Sequence, residues 1–454
     1  MKQRILFSLA ATLISAMSLA VSAKSTTSAS ATDSNYVQLR IDVDRGVLPA
    51  ESTAKAVVKI GLDCARLPGR DLRPPVNLSL VIDRSGSMSG EKIASARNAA
   101  LEAIRRLGPD DIVSLVVYDT QVQTLIPAQR LGTGREIERA ICGIEVGGNT
   151  ALYGGVSRGA TEVRRHAEDG KYVNRIILLS DGLANVGPSS AEELGRLGAS
   201  LMKEGISVTT IGLGLGFNED LMTRLAQRSD GNTYFVENSE DLSRIFAAEL
   251  GDVLNVVARR VVIEIDFPEG VRPLSFVGRE GTIRGQRAEL ALNQLYGGQE
   301  KFALVEVEVS PSRSGVEREI ARAQVTYEDA INQKSAKLSA KRTVQFSSSH
   351  AEMVSSANHQ VQADYATNII AVAKDEAVAL VDANKREAAA GVLRQRTAEL
   401  QEMAKVYRNT SVGNVAAAAA PEADRLEKEG LGNAQRKAYR ADSTQAKAQQ
   451  ASTR

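Results

Sequence analysis

The stretch Ser79-Leu80-Val81-Ile82-Asp83-Arg84-Ser85-Gly86-Ser87-Met88-Ser89 decides the fold. A short apolar strand ends at Asp83, and two hydroxyls follow at alternate positions in a Gly-bearing loop. From Glu91 to Leu107 the apolar residues Ile93, Ala96, Ala100, Ala103, Ile104 and Leu107 then recur at helical spacing. A buried strand that closes on an acid and turns into a helix is the opening unit of a parallel α/β sheet. Ligands of such sheets bind at the carboxyl ends of the strands, which is where Asp83 arrives.

The alternation continues outward. Val76 to Ile82, Ile112 to Tyr118, Arg175 to Leu179, Ser207 to Leu213 and Asn232 to Val236 read as strands, and Val122 to Pro127 as an antiparallel edge. Between and after them, Thr133 to Cys142, Leu152 to Ala167, Ser190 to Lys203, Asn218 to Gln227 and Asp241 to Asn255 have helical patterns. Thr133/Glu136 and Ser190/Glu193 have the spacing of capping boxes. Residues 76–255 are therefore expected to form one doubly wound domain.

From Arg259 the pattern changes to period two. Val261, Ile263, Ile265 and Phe267, then Ala288 to Leu292, Lys301 to Val309, Glu319 to Tyr327 and Lys341 to Phe346, predict a β-sandwich over 259–346. Tyr36 to Val43 and Ala54 to Leu62 alternate likewise but have no core of their own, so residues 36–72 are assigned to the same sandwich. Residues 360–407 read as an Ala-rich αα-hairpin. Residues 413–454, an Ala run followed by unordered Lys, Gln, Glu and Ser, read as a disordered or marginally helical tail. The predicted fold class is α/β, with a doubly wound, mostly parallel six-stranded sheet inserted in a β-sandwich and followed by a C-terminal αα-hairpin.

The 454 residues, 43% of them hydrophobic, suit a globular chain of about two to three domains. Lys and Arg number 56 against 55 Asp and Glu, so no bulk field collects nucleic acid or anionic lipid. Lys2 and Arg4 precede an apolar run from Ile5 to Val21, and Val21-Ser22-Ala23 supplies small residues for cleavage. Residues 1–23 are read as a secretory signal, 24–35 as a linker, and the protein as exported to the periplasm or secreted. Nothing later is apolar enough to span a bilayer, so no transmembrane segment is expected in the mature chain. Cys64 and Cys142 have contexts that do not bring them together, and two buried thiols are expected.

Two further loops follow the pattern of the first. Gly147-Gly148-Asn149-Thr150 carries a hydroxyl to the start of a helix, and Leu179-Ser180-Asp181-Gly182 puts an acid at a strand end. Capping and turn formation explain any one such loop. They do not explain all three at the same edge of a sheet.

Together the loops resemble the metal-ion-dependent adhesion site of the von Willebrand factor A family: Asp-x-Ser-x-Ser, then a threonine, then Asp-Gly. The resemblance covers Val76 to about Asn255. It implies that Asp83, Ser85, Ser87, Thr150 and Asp181 bind a divalent cation, Mg²⁺ or in its place Mn²⁺ or Ca²⁺. The serines and threonine would contact the ion directly, and the aspartates mainly through waters and hydrogen bonds. Mg²⁺ is suited by oxygen ligands and keeps several waters, whereas the lack of His and Cys disfavours zinc. The implied partner is a protein that presents Asp or Glu to the ion. Arg84, at a free motif position, is read as facing solvent. The flanking sandwich and helices resemble bacterial envelope proteins described as calcium-activated chloride channel homologues or inter-alpha-trypsin-inhibitor-like, names that carry little functional weight.

Enzyme readings have less support. His166, His350 and His359 are the only histidines, and no motif sets one beside a nucleophile. Gly212-Leu213-Gly214-Leu215-Gly216 lacks the Lys-Ser/Thr ending of a phosphate loop. The expected function is a metal-dependent adhesion or scaffold module that is not an enzyme. The alternative is the recognition subunit of an envelope hydrolase or protease-like enzyme.

Overall fold

The computed structural model describes residues 36–67, 73–167 and 170–450. The secretory-signal and linker readings lie outside the described residues. Three strands, β1 (Val37–Val43), β2 (Val47–Pro49) and β3 (Ala54–Cys64), precede the α/β unit. That unit runs β4 (Val76–Asp83), α1 (Glu91–Arg106), β5 (Ile112–Tyr118), β6 (Val122–Arg130), α2 (Arg135–Cys142), α3 (Leu152–Ala167), β7 (Val173–Ser180), α4 (Ala191–Lys203), β8 (Ile206–Leu213), α5 (Glu219–Arg228), β9 (Thr233–Val236) and α6 (Leu242–Val253).

The strand order is β6-β5-β4-β7-β8-β9, and only β6 runs antiparallel to its neighbour. Every residue of β4 and β7 is buried, as a parallel strand covered on both faces requires. Alternate side chains feed two cores. Leu78, Leu80 and Ile82 pack with Ile93 and Ala100 of α1 and Phe246 and Leu250 of α6. Val81 and Leu178 pack with Val156 of α3, Leu194 of α4 and Leu221 of α5 on the other face. The chain leaves β4 toward β5 and β6, then crosses back to β7, so the β4/β7 boundary is the topological switch point.

After α6 come β10 (Val256–Asp266), β11 (Val271–Val277), β12 (Thr282–Arg284), β13 (Arg287–Tyr296), β14 (Glu300–Val309), β15 (Glu317–Asp329) and β16 (Ser335–Ser347). They form two sheets with the first strands of the chain, in the orders β1-β3-β14-β11 and β12-β13-β10-β15-β16-β2. β3 pairs with β14 from Ala54↔Val309 to Asp63↔Glu300. Leu39, Ile60, Ile263, Val305 and Val325 meet in the core between the sheets. β11 has no period-two signature because Pro273 interrupts it, and the ladder shifts register there. The fold class is thus the one read from the sequence.

Several local readings are corrected. The chain does not lose structure after residue 413: behind α7 (His350–Ser355), α8 (His359–Asp382) and α9 (Arg386–Tyr407) stand α10 (Thr410–Glu429) and α11 (Asn433–Ala448). Val412, Ala416, Ala419, Ala423 and Leu426 are the buried stripe of α10, and Asn409 caps its first turn. The polar residues of α11 make ion pairs: Arg436 with Asp220 at 2.6 Å and Asp382 at 2.7 Å, Arg440 with Asp220 at 2.8 Å. The Thr133/Glu136 box does not form, because Gly134 takes the cap position at φ 72° with no side-chain cap bond. The Ser190/Glu193 box does form. Cys64 and Cys142 are both free thiols, but only Cys64 is buried. Arg84 is not free in solvent: its guanidinium pairs with Asp119 at 2.9 Å.

Candidate metal centre

The loops after β4 and β7, together with the loop before α3, meet at the switch point. Asp83 is fully buried at the end of β4. Its Oδ1 accepts the Ser85 amide N–H at 2.8 Å, and its Oδ2 accepts the Ser180 hydroxyl at 2.6 Å. One carboxylate therefore fixes the first loop and ties it to the end of β7. Burial pushes the Asp83 carboxyl up to about 6, against the lowering effect of the Ser180 and Ser85 hydrogen bonds.

The remaining groups form a chain of contacts. Ser85 Oγ lies 3.1 Å from Ser87 Oγ, and the Ser87 hydroxyl donates to Asp181 Oδ1 at 2.7 Å. Asp181 is buried, whereas Ser87 is exposed at the mouth. The second loop is bound to the first through Gly147 N–H to Arg84 O at 2.8 Å and Gly86 N–H to Gly148 O at 3.1 Å. Asn185 Oδ1 accepts the Thr150 N–H at 2.8 Å, and Thr150 O accepts from Asn185 N–H and Val186 N–H at 3.2 and 3.3 Å. Gly148 has φ 74°, and a Cβ there would lie 2.7 Å from Thr120 Oγ1. Only glycine holds this turn without strain.

Gly182 reveals the space these groups surround. A Cβ built on it would lie 2.9 Å from Thr150 Oγ1, 3.4 Å from Ser87 Oγ and 3.7 Å from Ser85 Oγ. Three hydroxyls from two loops thus converge on one point that glycine leaves open. The Asp181 carboxylate is one hydrogen bond away through Ser87, and that of Asp83 is linked through Ser85. Neutral oxygens with two carboxylates behind them fit a hard divalent cation that retains waters. Among the described residues no three His, Cys, Asp or Glu side chains gather as a metal group; the candidate set rests on hydroxyls.

Four contributors escaped the sequence reading: Ser180, Asn185, Gly182 as a spacer, and Lys92. The Lys92 ammonium is ion-paired with Asp181 Oδ2 and donates to Ser87 O at 3.3 Å. One signal was available for Lys92. A cation in the first turn of a helix opposes the helix dipole, so its presence there calls for another partner.

Residues 77–248 match the profile of the von Willebrand factor type A domain. The chain is 28% identical over 306 residues to an uncharacterized protein of Synechocystis, covering 64% of this chain and 71% of that protein. It is 25% identical over 232 residues to inter-alpha-trypsin inhibitor heavy chain H3 of Mesocricetus auratus, covering 48% of this chain but only 26% of that protein. Among solved structures it is similar to a von Willebrand factor type A protein from Catenulispora acidiphila, with TM-score 0.65 and 17% identity over 87% of this chain and 97% of that one. It is also similar to the ArnB paralog VWA2 from Sulfolobus acidocaldarius, with TM-score 0.59 and 16% identity over 91% and 98% of the two chains. At these identities the likeness to the solved structures speaks for the fold. It extends well beyond the α/β unit.

Proposed function

We propose that this chain, which carries a von Willebrand factor A domain at residues 77–248, is a metal-dependent protein-binding module of the cell envelope. Ser85, Ser87 and Thr150 are its direct ligands to a divalent cation, Mg²⁺ or in its place Mn²⁺ or Ca²⁺. Asp83 and Asp181 orient those hydroxyls and supply the negative charge behind them. The observation that carries this reading is the convergence of the three hydroxyls beside Gly182, at distances of 2.9 to 3.7 Å from a single point. A bound cation supplies a positive centre with a coordination position left for an outside ligand. The chain's own residues leave that position facing the mouth where Ser87 is exposed, and a Glu or Asp carboxylate of a partner protein fills it.

The role is recognition without chemistry: an adhesion or scaffold function with no catalytic step. Export rests on the reading of residues 1–23. Among the described residues no helix is long and apolar enough to cross a membrane. The test is calorimetry of the full chain with Mg²⁺, Mn²⁺ and Ca²⁺, followed by capture from envelope extract with and without EDTA. Saturable binding of one of these ions, and a captured partner lost on chelation, are expected. A wild-type chain that binds none of the three ions overturns the reading.

A further inference from the structure

A cavity of about 510 Å³ lies where the α/β domain, the sandwich and α11 meet. It is formed at the ends of α4 and α5 that lead into β8 and β9, and so at the sheet edge opposite the metal loops. Its size falls in the range of small-molecule sites, and domain junctions are where such sites concentrate.

The lining has two characters. The floor is the outer face of the sandwich, where Val262 of β10 and Ala291 of β13 are direct cross-strand partners. Ala199 and Met202 of α4 extend the apolar surface up one wall. The rim is charged, and its pairing is unbalanced. The lining carries five cationic residues, Lys203, Arg228, Arg260, Arg279 and Lys447, against three acidic ones, Asp230, Glu280 and Glu289, and Arg228 pairs with Glu280. Arg279 is neutralised by Asp230 at 2.9 Å. Glu289 and Lys203, both exposed, offset one another. The lining thus holds two more cationic than acidic side chains around an apolar floor, and the partners of Arg260 and Lys447, Glu328 and Asp375, stand outside it.

Arg260 gives the asymmetry a structural origin. It sits in a break of the β10–β15 ladder, between the pairs Arg259↔Glu328 and Val262↔Thr326, with φ 50°. A left-handed backbone at a non-glycine residue is strained, and bulges of this kind re-aim side chains beside sites. Here Arg260 lines the cavity, and its side chain, paired with Glu328 outside the lining, is left half exposed.

We propose that this cavity binds a small amphipathic anion, with its apolar body on Val262 and Ala291 and its carboxylate or sulfonate held at the Arg228/Arg260 rim. The site is separate from the metal centre, so the test is run on the full chain in EDTA. The probe is 8-anilinonaphthalene-1-sulfonate, compared with the uncharged N-phenyl-1-naphthylamine. Saturable fluorescence enhancement and a raised melting temperature are expected with the sulfonate. Ala291→Trp fills the floor and should abolish saturable binding of both probes. Arg260→Met should weaken the sulfonate about tenfold, as for one lost charge-assisted contact, and leave the neutral probe unchanged. If Ala291→Trp melts early, Met202→Trp fills the cavity from the opposite wall and is read the same way. Wild-type protein that binds no sulfonate, or filled variants that bind it as wild type does, overturns the site. Equal loss of both probes in Arg260→Met overturns the preference for an anion.

Discussion

The Lys92 ammonium contacts Asp181 at the metal loops, pairing with Oδ2 of the carboxylate, whose other oxygen accepts the Ser87 hydroxyl at 2.7 Å. One buried acid thus serves two masters: a tethered monovalent cation from α1, and the hydroxyl cluster that fits a divalent ion. The same ammonium also donates to Ser87 O, so it holds the loop in shape while lowering the negative charge of the site.

Removing that charge should separate the two effects. In Lys92→Met, a cation entering the site meets an un-neutralised Asp181, and its binding should tighten by roughly tenfold, less in high salt because Lys92 is partly exposed. The metal-free protein should melt lower than wild type, since Asp181 is then buried without a cation. Calorimetry with Mg²⁺ and melting curves in EDTA check both outcomes. Weaker ion binding with an unchanged melting curve would show that Lys92 only shapes the loop.

Gly182→Ala tests the open space directly. The added methyl would sit 2.9 Å from Thr150 Oγ1, so either the threonine hydroxyl or the loop must shift. Because the change lies at the sheet edge, the fold should survive with a loss of only about 1–2 kcal/mol. Mg²⁺ affinity should nonetheless fall by more than about tenfold, since a coordination sphere near 2.1 Å tolerates little displacement. Undiminished affinity would place the ion elsewhere than beside Gly182.

How much of this was legible depended on the kind of signal. Strands β4 and β7 announced themselves through the apolar runs Leu80 to Ile82 and Ile176 to Leu179, as parallel strands buried on both faces carry near-continuous apolar stretches. Asp83 and Asp181 were legible only together with Ser85, Ser87 and Thr150, because capping explains an acid in one loop but not the spacing of all three loops. Lys92 was missed because a lysine on a helix reads as a solvated charge until its neighbour across the sheet is known. The stripe of α10 is built largely from alanines, whose burial leaves little hydropathic trace, and α11 is held by ion pairs such as Arg440 to Asp375 at 3.0 Å. Both helices depend on partners distant in sequence. At Thr133 the capping signature was present, but Gly134 at positive φ reached the helix entry first.

Lys301 gives a pH dependence away from the metal site. Its buried ammonium donates to the carbonyls of Ala448 at 2.7 Å and Gln449 at 2.9 Å, at the end of α11. Burial pushes its ionisation down to about 8 from the ordinary 10.5, with Arg279 adding to the effect and Asp230 and Asp252 opposing it. Between those values the unfolded chain binds more protons than the folded one, so stability should rise with pH from about 8 to 10.5, by up to ~3 kcal/mol. The gain is lost again as pH falls through 8. Lys301→Met should lack this slope, and urea unfolding at pH 7.5 and pH 9.5 for the two proteins measures the difference. Parallel behaviour of both would show that Lys301 is not the group responsible.

The last expectation concerns the joint between the two folded units. Helix α6 ends at Val253 and β10 begins at Val256, so only Leu254 and Asn255 separate them. Beside this short joint, Arg175 of β7 is fully buried. It donates to Gln294 Oε1 at 2.7 Å and, through Nη1, to Thr209 Oγ1 at 3.1 Å, and pairs with Glu249 of α6 at 3.4 Å. Its contact with the Tyr296 hydroxyl at 2.5 Å completes a bridge from the central sheet to the sandwich. Glu249 also accepts from Thr209 at 2.5 Å and Asn232 at 2.8 Å. Arg175→Met should therefore leave a hydrogen-bonded but uncompensated carboxylate at the junction and cost roughly 3 kcal/mol, near the lower end for a broken buried pair. Because the bridge joins β7, which ends at the metal loop, to α6 and the sandwich, it could also transmit occupancy. Transmission requires an element with two arrangements, and a rigid strut would keep the same contacts in both states. Hydrogen exchange over residues 241–267 separates these cases when measured with Mg²⁺ alone and then with an acidic partner bound. Altered protection there in wild type, lost in Arg175→Met, supports coupling; a change confined to the three metal loops leaves α6 as a strut.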